Sequence, residues 1–149
     1  MISFRKVLKH NFWKVASLND GSNTEKYIDY SHNILLHALF YKSIDNIRAI
    51  YNNKELIGLI YFYQINKNIW INSFMIDHKY QNKGYGKQSF SKLLDYIKKN
   101  YTYNRIELAT SNPIAMNLYQ NFGFNLLNNK RSKNYFEKHK ENIMSLKNN

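Results

Sequence analysis

Gln81-Asn82-Lys83-Gly84-Tyr85-Gly86-Lys87 is the stretch on which the reading of the fold turns. Ahead of it, residues 69–76 read as a strand. Behind it, Phe90, Leu93, Leu94, Ile97 and Tyr101 recur at helical spacing and mark one face of an amphipathic helix. Such a strand-to-helix junction presents free backbone N–H groups and the positive end of the helix dipole to one point in space. Its glycines let a ligand approach the backbone closely, and Lys83 and Lys87 add charge, so the segment suits a diphosphate. A glycine-bearing turn that only caps the helix fits the same residues. A Walker loop needs G-x-x-x-x-G-K-[ST], and a dinucleotide fingerprint needs a third glycine where Ser89 stands, so neither spacing is met.

Downstream, residues 105–110 form another strand pattern, and a second helix carries Ala115, Leu118, Tyr119 and Phe122 on one face. Asn112 is a suitable N-cap, Pro113 suits the first helical position, and Gly123 stands where a left-handed stop is needed. Two strands, at 124–127 and 143–146, close the chain around a polar, basic segment at 128–142. Upstream lie a short strand at 2–8, a helix at 12–18 and a turn-rich run from Asn19 to Asn23. A helical stripe then runs from Thr24 through Tyr27, Ser31, Ile34, Leu35, Ala38 and Leu39. Residues 47–51 and 56–65 read as a hairpin, and Asn66-Lys67-Asn68 turns the chain into 69–76, giving three antiparallel strands in succession. The crossover from 87 to 100 is long enough to bring 105–110 parallel to 69–76.

The chain of 149 residues is one domain's worth, with no repeat and no linker, and we expect a single domain over 1–149. Its N-terminal residues lack an apolar segment of signal-peptide length. Its most apolar run, 56–63, is far shorter than the ~20 residues that cross a bilayer, so we expect a cytoplasmic protein without a membrane partner. The absence of cysteine excludes a disulfide scaffold, a thiolate metal site and a cysteine nucleophile. His10, His32, His37, His78 and His139 make no metal-ligand spacing, and no metal is expected. The net charge of +12 favours anionic partners. Lys nevertheless outnumbers Arg, no basic helix interleaved with aromatics is present, and a nucleic-acid partner is not expected.

Taken together, Gln81-x-x-Gly84-x-Gly86 and Asn112-x-x-Ala115-x-x-Leu118-Tyr119-x-x-x-Gly123-Phe124 resemble the two signatures of the GNAT superfamily of acyl-CoA-dependent N-acetyltransferases. The similarity covers residues 56–124, and the flanks follow it in element order. It implies an α/β (α+β) fold: a mixed, mainly antiparallel sheet of six to seven strands, flanked by about four helices, with splayed central parallel strands. It also implies acetyl-CoA as co-substrate. Main-chain groups around Met75 and Ile76 would hold the pantetheine arm and the thioester carbonyl. The N–H groups of Gln81, Asn82, Lys83, Gly84, Tyr85, Gly86 and Lys87 would hold the pyrophosphate. Asn112 would contact pantetheine or cap its helix. Tyr119 would protonate the departing thiolate, since a phenol with a pKa of about 10 keeps its proton near neutrality. The plainer reading of Tyr119 is a ring in the core.

The strand Trp70-Ile71-Asn72-Ser73-Phe74-Met75-Ile76-Asp77 is similar to that of bacterial diamine and polyamine acetyltransferases. The resemblance implies a primary amine of a small molecule as acceptor. A protein or peptide amine, or a CoA-binding module without catalysis, are the alternatives. Those relatives place a carboxylate in mid-strand, where this chain has Asn72 and Ser73. Asp20, Glu25, Asp29 and Asp45 remain as sources of local negative charge, and Glu107 or a main-chain carbonyl as a base acting through water. His78, beside the cofactor loop, is a further candidate. Family members commonly dimerise, so a homodimer is a possible assembly.

Overall fold

The computed structural model describes residues 1–21 and 31–148. Strand β1 (Ile2–Lys6) stops two residues short of the alternation in the sequence. The buried Asn11 side chain accepts the Leu8 N–H at 2.7 Å and donates to the Lys6 carbonyl at 3.0 Å, which turns the chain out of the strand. Helix α1 (Phe12–Ala16) follows. Helix α2 (Ser31–Phe40) buries Ser31, Ile34, Leu35 and Ala38, as the stripe requires, whereas Leu39 is exposed. Ser22, Asn23, Thr24, Glu25, Tyr27 and Asp29 lie outside the described residues.

Strands β2 (Ile47–Asn52), β3 (Glu55–Ile65) and β4 (Asn68–Ile76) succeed one another. The β3–β4 turn is Asn66-Lys67, and both residues have positive φ, 48° and 63°, as a two-residue type I′ hairpin demands. Then come α3 (Tyr85–Asn100), β5 (Arg105–Thr110), α4 (Pro113–Asn121), β6 (Asn125–Leu126), α5 (Lys130–His139) and β7 (Asn142–Lys147). The strands form one mixed sheet in the order β1-β2-β3-β4-β5-β7-β6. β1–β2, β2–β3, β5–β7 and β6–β7 are antiparallel. β4 and β5 are parallel and adjacent, as expected. Their register runs from Asn68↔Arg105 to Ile71↔Leu108, and both strands continue beyond the last pair.

The residues gather into two compact units. In the first, Met1–Phe62 with Ser73–Lys99, the α3 stripe buries Phe90, Leu93 and Ile97 completely. Phe90 meets Phe74 edge-on at 5.3 Å, and Tyr96 meets Phe4 and Phe62 at 6.3 and 6.2 Å. Truncating Leu93 to alanine there would cost about 2–5 kcal/mol. In the second, Tyr63–Asn72 with Asn100–Asn149, the β5–β7 ladder buries Ile106, Leu108, Ile143 and Met144.

Two expectations need correction. The segment 128–142, read only as polar and basic, contains α5; the five α-helices among the described residues agree with the expected flank of about four. α5 is held by its ends and by local packing. The Asn129 side chain accepts the Ser132 N–H at 2.9 Å, Lys140 closes the helix at φ 59°, Ser132 is buried, and Tyr135 packs on Trp70. The strand read at 124–127 narrows to Asn125–Leu126, although the Leu127 N–H still donates to the Ile143 carbonyl at 2.8 Å.

Candidate active site

In the first unit, the Gly84 carbonyl accepts the Gln88 N–H at 3.1 Å, so α3 starts its hydrogen bonding at Gly84. The N–H groups of Tyr85, Gly86 and Lys87 then have no acceptor within the helix and point out of its N-terminus. Gly84 has φ +78° and Asn82 φ 59°, two left-handed residues that fold the loop back over the helix end. A Cβ built on Gly86 meets nothing within 4 Å, so the space above that backbone is open. These are the features of an anion cradle, and they suit the diphosphate of a nucleotide cofactor. The Lys83 ammonium donates to the Lys79 carbonyl at 2.9 Å and stays on the exposed rim.

Gln81 has a different part. Its N–H donates to the His78 carbonyl at 3.3 Å, and its side-chain amide donates to the Ile76 and Asp20 carbonyls, both at 2.9 Å. It braces the loop against the end of β4 and the chain leaving α1. Asp77 works beside it. This buried carboxylate accepts the N–H of Asn19 and of Lys79, each at 3.1 Å. The Asn19 carbonyl in turn accepts the His78 N–H at 2.8 Å and faces His78 Nδ1 at 3.2 Å. Gly21, at φ +85°, lets this segment close on His78, since a Cβ there would stand 2.8 Å from His78 Cβ. His78 is thus packed into this brace. The Tyr85 hydroxyl accepts from the Asn52 side chain at 3.1 Å, which moors the first turn of α3 to β2.

Met75 and Ile76 are buried at the end of β4. A Cβ on Gly58 of β3 would lie 2.2 Å from the Met75 carbonyl oxygen and 3.2 Å from Ile76 Cα. The Met75 peptide is therefore turned into space that only glycine leaves free. The sequence shows Gly58 merely as a glycine inside an apolar run. Its role, like that of Asn19, Asp77 and Asn52, comes from residues distant along the chain.

In the second unit, Asn112 caps α4: its side-chain oxygen accepts the N–H of Ile114 at 2.9 Å and of Ala115 at 3.4 Å, and Pro113 occupies the first turn. Gly123 has φ +87°, the left-handed stop that was expected. Tyr119 is buried, its ring 6.1 Å from that of Phe124, and burial pushes its hydroxyl well above the ordinary phenol range. The phenol therefore stays protonated across the physiological range. Glu107, also buried, accepts from Arg131 at 2.8 Å. Asn72 is exposed, and Ser73 is buried. A recess of about 460 Å³ between Arg105, Asn125, Leu126 and Lys147 contains none of the residues assigned to the cofactor or to proton transfer.

Comparison with known proteins matches residues 12–124 to the model of the Acetyltransferase (GNAT) family. The chain is 29% identical over 136 residues to the spermine/spermidine N(1)-acetyltransferase of Bacillus subtilis (strain 168), covering 83% of this chain and 87% of that one. Among solved structures, a Bacillus subtilis acetyltransferase in complex with CoA superposes with a TM-score of 0.70 at 17% identity, over 99% of this chain and 98% of that one. N-acetylglutamate synthase from Neisseria gonorrhoeae, complexed with coenzyme A and N-acetyl-glutamate, gives a TM-score of 0.74 at 15% identity. That match covers 99% of this chain, which spans only 35% of the synthase chain.

Proposed function

We propose, for a chain that belongs to the acetyltransferase (GNAT) family, that it moves the acetyl group of acetyl-CoA directly to a primary amine of a small, polyamine-like molecule. The observation that carries this reading is the open backbone cradle at Gly84, Tyr85, Gly86 and Lys87, which suits a diphosphate and leaves room for it above Gly86. The polyamine class is supported by the activity named for the Bacillus subtilis relative.

Acetyl-CoA supplies the activated acetyl group as a thioester. The N–H groups from Asn82 to Lys87 receive its pyrophosphate, and the Gln81 side chain keeps the loop in place. Main-chain groups of Met75 and Ile76, on the part of β4 beyond its ladder with β5, hold the pantetheine arm by strand-like pairing. An N–H there stabilises the carbonyl oxygen as negative charge develops on it. Asn112 fixes the start of α4 and so the position of Tyr119 one helix length on. Tyr119 holds its proton until the thiolate leaves and then donates it. With no cysteine in the chain, no acyl group is passed to a protein thiol: the amine nitrogen bonds the thioester carbon directly, the C–S bond breaks, and the proton that the nitrogen sheds passes through water and restores the Tyr119 phenol.

Thiol release from acetyl-CoA tests the reading, with polyamines, aminoglycosides, amino acids and lysine peptides as acceptors. Turnover with polyamines is expected. Turnover confined to peptides would move the acceptor to a protein amine, and none with any amine would leave a CoA-binding module.

A further inference from the structure

Glu107 sits in the middle of β5 and is 2% exposed. Its Oε2 accepts from the Arg131 guanidinium at 2.8 Å, but its buried Oε1 has no hydrogen-bond partner, and Arg105 stays 3.9 Å away. Directly across the ladder on β7 stands Ser145, whose buried hydroxyl oxygen also lacks a partner. Directly across on β4 stands Trp70. Arg131 lies over the Trp70 ring at 5.7 Å, Tyr135 packs on the same ring at 5.9 Å, and Glu141 hydrogen-bonds Tyr135. Two of the chain's ten side-chain carboxylates thus have aromatic neighbours here: Glu107 stands opposite Trp70 in register, and Glu141 bonds the Tyr135 hydroxyl.

Two buried oxygens without partners on adjacent strands are costly unless something donates to them. The donor that fits is an ammonium: compact, with three N–H bonds, drawn to a carboxylate and to aromatic faces. From this geometry we infer that Glu107, Ser145, Trp70 and Tyr135 form a subsite for a second ammonium of the acceptor, remote from the amine that is acetylated. This deepens the acceptor reading above and rests on it. Arg131 is the cover. Its side chain is 54% exposed, and it is the nearer of the two internal cations, with Arg105 at 3.9 Å, that keep Glu107 paired until a substrate cation arrives. Exchange of one cation for another never leaves the buried carboxylate alone, the state that is strongly destabilising. The subsite selects acceptors with two or more amines over monoamines.

The experiment compares spermidine with propylamine on the full chain, by melting temperature and by kcat/KM. Spermidine is expected to raise the melting temperature more than propylamine does and to be the better acceptor. Glu107→Gln should abolish the selective melting shift and lower the spermidine-to-propylamine kcat/KM ratio about tenfold or more. Arg131→Gln, which removes the nearer competing cation, should enlarge the spermidine shift. If Glu107→Gln does not fold, Trp70→Leu answers the same question through the loss of the ring. Equal shifts by the two amines in the unmodified protein, or a selective shift that survives in Glu107→Gln or Trp70→Leu, overturn the subsite and leave a buried water as the partner of both oxygens. A selective shift without acetylation of either amine keeps the subsite and removes the acceptor reading. Acetylation of both amines alike, with no selective shift, does the reverse.

Discussion

The Asp77 carboxylate accepts the backbone N–H of Asn19 at 3.1 Å, across 58 residues of sequence. One buried side chain therefore ties the chain leaving α1 to the turn that opens the glycine loop at 81–87. Asp77→Ala should leave the N–H groups of Asn19 and Lys79 without that acceptor, at about 1–3 kcal/mol for each group that stays buried. Asp77→Asn keeps one oxygen and should recover part of the loss. Urea denaturation of the two variants measures it, and equal stability of Asp77→Ala and the unmodified protein would remove the brace from the account.

The two loop glycines should fail in different ways. Gly84→Ala places a Cβ on a residue at φ +78°, a strain of about 1–2 kcal/mol, so its melting temperature should fall. At Gly86 an added Cβ has nothing within 4 Å, so Gly86→Val should melt close to the unmodified protein, yet its side chain enters the space assigned to the pyrophosphate. Calorimetry should show acetyl-CoA binding at least about tenfold weaker. Unchanged affinity in folded Gly86→Val would take the cradle out of the mechanism.

For Tyr119, phenylalanine keeps the ring against Phe124 and deletes only the proton. Turnover by Tyr119→Phe should drop about 10²–10⁴-fold, the usual worth of general acid catalysis, with acetyl-CoA affinity nearly constant. A rate equal to that of the unmodified protein would leave Tyr119 as packing.

These predictions also mark how far the sequence could be read. Phe90, Leu93 and Ile97 announce α3 because helical periodicity is local, and Asn112, Pro113 and Gly123 announce the ends of α4 for the same reason. α5 is illegible because Lys130 to His139 is mostly polar and charged, and its hold on the sheet comes from residues distant along the chain: Tyr135 packs on Trp70, and Arg131 pairs with Glu107. The cradle glycines are visible as a spacing. The brace behind them is not, because Asn19 meets Asp77, and Asn52 meets Tyr85, only once the chain is folded. Glu107 can be picked out as a carboxylate on a strand, but its unpartnered oxygen is a property of the packed ladder alone.

Alkaline pH should weaken the fold partly through Tyr135. Burial, then the neighbouring Glu141, push its hydroxyl up to about 12, against about 10 for a phenol in the unfolded chain. A raised value means that the folded state holds the proton more tightly. The associated stability is whole below about pH 10 and is lost as pH rises towards 12. Melting temperatures taken from pH 9 to 12 should fall less steeply in Tyr135→Phe than in the unmodified protein. Parallel curves would rule Tyr135 out as a source of the decline.

The Met75 carbonyl, resting in the space where Gly58 has no side chain, ties two strands into a single heritable choice. A lineage that keeps this turn in β4 cannot exchange Gly58 alone, because even a methyl group meets backbone oxygen at 2.2 Å. A lineage that straightens β4 is released from glycine at 58 but gives up the peptide orientation at 75. The two positions should drift together or not at all, so the shape of the end of β4 is guarded by a residue on the neighbouring strand.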